Sequence, residues 1–438
     1  MRDVADAALT RQENRSRNVM LLALISVSAF NYVDRTIISI LQIPIKAELG
    51  LSDGQLGALT GLAFALFYAT LSLPIARLAD RYSRRWIVVI SLVVWSAMTA
   101  MCGLATGFFS LVFLRIGVAI GEAGSVPASV SLIADYYPPA RRAAAMSTWG
   151  LALPIGLLLG YTCTGWLAEA VGWRMAFGVV GGAGVLLSPL ILRMIAEPRR
   201  GRFDPATAEV AAAPPIGAAL GALWRNRAFR YVVLAGMFHG FTQYAMMTWN
   251  APFFTRSHGL SLGQVAPLMA LLSGGAGAVG IYASGWIADR LSASNARWRL
   301  WIMALSVGAT VPCALVQYLV PSTPLAIAAA ALAAALMIAY YGPILATTQS
   351  AVSPTIRAFS NAVLLLTFNL FGLGLGPWVT GLLSDLLTER FGHDALRYAL
   401  VIVLVPSALA SGIFFYAARF WAPDSTVPRA ADGSSDRA

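Results

Sequence analysis

The sequence predicts an all-α membrane protein: twelve transmembrane helices in two six-helix bundles related by pseudo-two-fold symmetry. Three observations predict it. Of the 438 residues, 58% are hydrophobic and 12% charged, against about 25% charged in an average soluble domain. Such a chain has too little polar surface to cover itself in water, so the bilayer is its solvent. Runs of roughly 20 mostly apolar residues recur along it, each able to cross about 30 Å of hydrocarbon at about 1.5 Å per residue. Finally, two short strings repeat in one register. Leu51-Ser52-Asp53-Gly54-Gln55-Leu56 returns as Leu260-Ser261-Leu262-Gly263-Gln264-Val265, and Leu78-Ala79-Asp80-Arg81 as Ile287-Ala288-Asp289-Arg290. One spacing aligns both pairs without a gap, as an internal duplication requires.

In chain order the spans are expected near 18–45, 54–78, 86–106, 108–134, 142–168, 173–195, 229–254, 262–288, 298–320, 323–350, 356–386 and 396–420. The polar, Arg-rich stretch Met1 to Val19 precedes a run with the length of a full span, so no cleavable signal peptide is expected. Glu197 to Arg227 is Pro-, Ala- and Arg-rich. The expected organisation is an N-terminal bundle (1–196), a cytoplasmic linker (197–227) and a C-terminal bundle with a cytoplasmic tail (228–438).

The net charge of +11 would suggest nucleic acid in a soluble protein, but here the arginines crowd into alternate loops. Arg81, Arg84, Arg85, Arg141, Arg142, the linker, Arg290, Arg297 and Arg299 share one side with the N-terminal arginines. The opposite loops hold little basic charge beyond Lys46, Arg174 and Arg256. The positive-inside bias then places both termini in the cytoplasm, across a bacterial inner membrane. Cys102, Cys163 and Cys313 fall in apolar runs with no disulfide or zinc spacing. No metal, cofactor or nucleic-acid partner is expected, and the chain reads as a monomer among membrane lipids.

Ionisable side chains in a bilayer are costly, so each one there marks a functional site by default. Four stand in the N-terminal half: Asp34 and Arg35 in the first span, Arg115 and Glu122 in the fourth. Arg115 and Glu122, two helical turns apart, share nearly one face. An Asp34–Arg115 pair forms if the two spans meet. The functional reading is a proton and anion site, in which burial raises a carboxyl pKa and an arginine lowers it again. The competing reading is a buried ion pair that fixes helix register. Arg35 can also snorkel toward the interface.

The second half lacks these charges, with Gln243, Tyr244 and Ala331 at the positions equivalent to Asp34, Arg35 and Glu122. Its polar and aromatic residues His239, Tyr244, Trp249, Asn250, Tyr340, Tyr341, Thr367 and Asn369 are candidates for the other wall of an asymmetric cavity. Each aromatic can equally be packing. His239 reads as a hydrogen-bonded core histidine, with a second titrating site as the alternative. Asp80, Arg81, Arg84, Asp289 and Arg290 close the second and eighth spans and are candidates for a cytoplasmic gate. Solvated positive-inside charge is the plainer reading. Gly150, Pro154, Gly156 and Gly160 in the fifth span, and Gly372, Gly374, Gly376 and Pro377 in the eleventh, suggest small-residue faces where the halves rock.

These strings resemble the major facilitator superfamily over essentially the whole chain. Ala76-x-Leu78-Ala79-Asp80-Arg81-x-x-Arg84-Arg85 is similar to its loop after the second span, with Ala76 and Ser83 replacing the usual glycines. Leu111-x-x-x-Arg115-x-Gly117 and Gly172-Trp173-Arg174 are similar to its fourth- and sixth-span motifs. Within it, Asn31-Tyr32-Val33-Asp34-Arg35, Gly121-Glu122-Ala123, Leu132-Ile133-Ala134-Asp135-Tyr136 and Pro154-Ile155-Gly156-x-x-x-Gly160-Tyr161 resemble the spinster family of lysolipid and sphingolipid transporters. The resemblance implies a proton-linked carrier of an amphipathic lipid, with Asp34 and Glu122 sensing protons and Arg35 and Arg115 as partners. A carrier of small organic anions or drug-like compounds is the alternative, and a lipid scramblase a more distant one. An enzyme is not expected, because no nucleophile–base pair stands in the spans.

Overall fold

The computed structural model describes residues 2–203, 215–292, 294–352 and 356–421. Among these, nine helices are long and apolar enough to cross a membrane. The first four are Ser16–Leu49, Asp53–Ala79, Arg84–Cys102 and Phe108–Tyr136. The next, Ala144–Met194, has 51 residues, which as one rod would run roughly 75 Å, more than twice the hydrocarbon thickness. It breaks at Gly172, whose φ of 79° only glycine adopts without strain, and so supplies the fifth and sixth spans. Arg227–His258, the seventh, has 32 residues and carries polar side chains such as His239, Gln243 and Asn250 through its middle. Leu262–Ser292, Trp298–Leu319 and Thr323–Thr348 follow, and Phe359–Ala417 folds back near Gly392 (φ 55°) to give the eleventh and twelfth. The expected twelve spans are thus present.

The duplication is visible in local chemistry. Ser52 and Ser261 each cap the span they open, and Gln55 and Gln264 each bond back to the cap amide. This reciprocal arrangement satisfies donors that a helix start leaves free, and both copies of the repeated string form it.

Three buried apolar clusters show where the halves meet. At the arginine-rich end each half has its own, one around Leu24, Leu92, Leu132 and Ile191 and another around Val232, Met303, Ile344 and Phe414. At the opposite end one cluster runs through both halves, from Ile38, Leu56 and Phe177 to Phe254, Val265 and Tyr318. The bundles are therefore joined at the opposite face and separate toward the arginines.

Glycine makes that junction close. A Cβ on Gly57 would strike the Pro377 carbonyl, and one on Gly61 would come within 2.7 Å of the Leu373 and Gly374 carbonyls, so the second and eleventh spans touch backbone to backbone. Gly165 meets Ala266 likewise between the fifth and eighth. The fifth-span glycines singled out from sequence do something else. Gly156 and Gly160 admit Ala29, Tyr32, Val33 and Thr36 of the first span. They pack the N-terminal bundle internally and are not the rocking surface. In the eleventh span Gly374 faces Ala65 of the second, whereas Gly372 and Gly376 face Tyr244 and Phe241 of the seventh.

On the arginine-rich face Arg84 is 1% exposed and fully engaged within the N-terminal half. It binds Asp135, donates to Ser131 Oγ at 3.0 Å and to Glu197 at 2.8 Å. Partial burial works to raise the Glu197 pKa, but the Arg85 amide, the Arg84 guanidinium and the Ser83 hydroxyl hold its carboxyl below the ordinary carboxylate range. That stabilisation is present at neutral pH and is lost as pH falls through the depressed value. Within the expected linker the structure also forms a helix, Ile216–Arg225.

Two outcomes check this frame. Asp135→Ala leaves a buried guanidinium short of its closest partner and should cost about 3 kcal/mol, read as a lower apparent Tm. Gly61→Leu has no room to let the second and eleventh spans touch. It should expose the opposite face, measured as faster alkylation there of a cysteine introduced at Leu62.

Candidate functional site

Successive residues on a helix point about 100° apart, and this separates Asp34 from Arg35. Asp34 turns into the wall of the N-terminal bundle and is 2% exposed. Arg35 turns toward the space between the halves, with 25% of its side chain exposed, and its Nε donates to Glu122 Oε2 at 2.8 Å. Glu122 itself is fully buried. The ion pair between the first and fourth spans is therefore Arg35–Glu122, not the expected Asp34–Arg115, and Arg35 does not snorkel. Arg115 is also 2% exposed. Asp34 Oδ2, Arg115 Nε and Nη1, and Glu122 Oε1 are buried without hydrogen-bond partners. Unmatched ionic atoms in a low-dielectric interior are costly and responsive to any change of charge or packing beside them.

Three aromatic residues that the sequence reading left out complete this wall. The Arg35 guanidinium lies 4.9 Å from the Tyr68 ring centre, 5.1 Å from Phe64 and 6.0 Å from Tyr32. Arg115 lies 5.3 Å from Phe64, so one buried ring serves two arginines. Such contacts stabilise a cation by about 0.5–2 kcal/mol each. Phe64 and Tyr68 stack at 5.6 Å. Their four-residue spacing on the second span was the available signal, since it puts both rings on one face.

The C-terminal candidates divide in two. Tyr244 and the 38% exposed Tyr341 face the same space as Arg35, within electrostatic reach of one another and of Tyr32. Asn369 is half-buried in the eleventh span, where the helix widens into a π-helical stretch, Phe368–Leu375. The others serve the bundle. His239 is fully buried, with Nδ1 2.8 Å from Ser407 Oγ and Nε2 2.8 Å from the Met337 carbonyl. Because a carbonyl only accepts, Nε2 carries a proton and both ring nitrogens are satisfied. Trp249, fully buried, donates to the Pro377 carbonyl at 2.9 Å. Asn250 Oδ1 accepts from Gln317 and Tyr318 at 2.9 and 2.8 Å. Thr367 returns its hydroxyl to the Val363 carbonyl of its own helix. The polar groups of these four are engaged within the C-terminal bundle.

The expected gate residues are apart. Arg81 and Asp289 are exposed, Arg290 lies 4.0 Å over the ring of its own neighbour Trp286, and Arg84 is buried in the N-terminal half. The Asp80 side chain lies outside the described residues. Several hydrogen bonds and ion pairs cross between the halves at the opposite face. There Asp385 of the eleventh span accepts from the Asp53 and Gly54 amides at 2.9 and 2.7 Å, at the start of the second. Glu169, ending the fifth, accepts from the Gly263 amide at 2.6 Å, at the start of the eighth. Asp53 in turn receives Arg256 at 2.7 Å, Ser384 at 2.7 Å and Lys46 at 2.5 Å. A carboxylate on a helix start satisfies free amides and the helix dipole together.

The Major Facilitator Superfamily profile matches residues 24–377. An "MFS-type efflux pump" of Mycolicibacterium smegmatis is 34% identical over 91% of each chain. "Protein spinster homolog 1" of Mus musculus is 26% identical over 92% of this chain and 80% of its own. Among solved structures, a bacterial homolog of the human lysosomal transporter Spinster, in an inward-facing and unoccupied conformation, superposes with a TM-score of 0.85 at 30% identity, over 93% of this chain and 99% of its own.

The crossing carboxylates generate a prediction. Asp385→Asn removes a charge–dipole contact of about 1 kcal/mol, so the opposite face should open about fivefold more often. Alkylation of a cysteine at Leu62 from that side reads this, and adding Glu169→Gln should increase it further.

Proposed function

Because the chain belongs to the Major Facilitator Superfamily and is an integral membrane transporter, we propose that it carries an amphipathic anionic or zwitterionic lipid, such as a lysophospholipid or sphingolipid, by proton-coupled alternating access. The observation that carries this reading is the Arg35–Glu122 pair: a guanidinium that reaches the space between the halves, bonded to a carboxylate sealed behind it. An anionic headgroup suits the Arg35 guanidinium. The rings of Tyr32, Tyr68, Tyr244 and Tyr341 suit the glycerol or acyl part beside it.

Coupling follows from competition for one cation. While Glu122 is ionised it holds Arg35. Protonated, it loses the charge-assisted bond and leaves the guanidinium to the substrate. Asp34 and Arg115 lie deeper and act through the field they share with this pair, with Phe64 between the two arginines. Their role is electrostatic, since they are sealed from the cavity in this state. The arginine-rich face is cytoplasmic in this reading, both termini lie there, and the membrane is the bacterial inner membrane. The joined opposite face makes the conformation inward-open. Asp80, Arg81, Arg84, Asp289 and Arg290 are then the disengaged elements of a cytoplasmic gate that closes in the other state. The working unit is a monomer.

A second reading, export of small organic anions or drug-like compounds, is favoured by the likeness to an efflux pump. Reconstitution in liposomes with an imposed pH gradient separates the readings. Labelled lysolipid should accumulate with the gradient, and unlabelled lysolipids should compete better than short carboxylates; the reverse order selects the second reading. Movement independent of the gradient would mark a scramblase. Glu122→Gln and Asp34→Asn should remain folded and membrane-inserted while losing gradient-driven uptake, Glu122→Gln the more completely. Unchanged uptake in both removes proton coupling through these residues.

A further inference from the structure

The helix Ile216–Arg225 that interrupts the linker carries more apolar surface than its position on the protein covers. Its sequence, IGAALGALWR, has no polar residue before the final arginine. Ala219 and Leu223, 4% and 1% exposed, pack on Phe229, Val352 and Ile356 of the C-terminal half. The other face presents Ile216, Leu220 and Trp224, which are 70%, 48% and 69% exposed. Four-residue spacing sets these three in one row along the helix.

Connectivity fixes where that row lies. Asn226 ends the helix, and its side chain caps the seventh span by accepting from the Phe229 amide at 3.0 Å. The same side chain donates to the Ala351 carbonyl at 2.7 Å, just beyond the tenth span. The seventh span begins at the next residue, Arg227. The helix is thus held directly against the start of the seventh span, at its arginine-rich end. Arginines flank the Trp224 end of the row: Arg225 and Arg227 are exposed, the latter 5.7 Å from the Phe420 ring, and Arg230 lies 5.8 Å from the Trp224 ring. No acidic residue occurs between Pro215 and Arg230.

We propose that Ile216–Arg225 is a membrane-surface anchor that seats its Ile216–Leu220–Trp224 row in the leaflet on the arginine-rich side and binds anionic lipid headgroups through Arg225, Arg227 and Arg230. A tryptophan with arginines beside it at the boundary matches both parts of a lipid, the ring at the headgroup level and the cations on the phosphates. Each arginine strengthens binding to an anionic surface by about fivefold. The occupant is bilayer lipid and not cargo, so the anchor holds whatever the transporter carries. Because the helix packs on Val352 and Ile356, its hold on the leaflet bears on the turn between the tenth and eleventh spans.

The test uses the full chain with its three cysteines replaced and a spin label at position 220, in nanodiscs of phosphatidylglycerol with phosphatidylcholine or of phosphatidylcholine alone. Collisions with oxygen should exceed those with a water-soluble nickel chelate, placing the label in lipid. Native mass spectrometry should show the triple variant R225Q/R227Q/R230Q retaining phosphatidylglycerol on the order of 100-fold less well than the parent. Trp224→Gln, an exposed change that leaves the fold intact, should lower retention too. A label reached freely by nickel overturns the proposal. So does a label shielded from both reagents, which would mean a second copy or another segment of this chain covers the row. Equal retention of phosphatidylglycerol and phosphatidylcholine overturns the headgroup assignment.

Discussion

Two carboxylates that cross from one bundle to the start of a helix in the other tie the halves of this molecule together at the face away from the arginines. Asp385 on the second span and Glu169 on the eighth are counterparts in the duplicated architecture, and each meets backbone amides that a helix start leaves unpaired. Around them Gly57, Gly61 and Gly165 let backbones touch, so the bonds and the apolar cluster act at the same place. With the opposite face tied in this way, the arginine-rich face stands apart. The central space and its exposed Arg35 follow from that.

The two halves diverged in how they use polarity. In the middle of the C-terminal bundle the buried polar side chains are neutral and bonded to one another: His239 has partners on both nitrogens and Asn250 accepts two hydrogen bonds. The N-terminal bundle carries charge at the matching depth. It buries Asp34, Arg115 and Glu122 with several ionic atoms unmatched, and brings only Arg35 to the cavity. A satisfied network rigidifies, whereas an unsatisfied one is sensitive to a proton or a substrate charge. The N-terminal wall thus carries the ionisable groups of the site, and the C-terminal wall faces it with aromatic side chains.

The arginine-rich side holds two different kinds of basic charge. Arg84 stitches the start of the linker to the third and fourth spans by way of Glu197 and Asp135 and has little charge left to offer elsewhere, while Arg85 gives its backbone amide to Glu197 and its guanidinium to the Leu192 carbonyl. Arg225 and Arg227 are exposed beside an apolar row that the described residues leave uncovered. Counting arginines by loop, as the positive-inside rule does, merges the two. Only their partners separate a structural cation from one that faces the leaflet.

The sequence by itself determined the membrane class, the number of spans, the duplication and the set of charged positions, because each is a matter of composition, length or spacing along one chain. The repeated strings that form the twin capping boxes at Ser52 and Ser261 were legible for the same reason, while the caps themselves are a finding of the structure. Pairing across spans was not legible. Whether Arg35 or Arg115 meets Glu122 depends on how two helices are rotated about their axes, and a single residue of phase moves a side chain by about 100°. Gly156 and Gly160 of the fifth span do mark a close contact, but with the first span and not with the other half, because a small residue states that something approaches without saying what. The face at which the halves join was also a tertiary decision. Similar charged and small residues stand at both ends of the spans, and only the assembled bundles show Asp385 and Glu169 engaged while Arg81 and Asp289 remain free of one another.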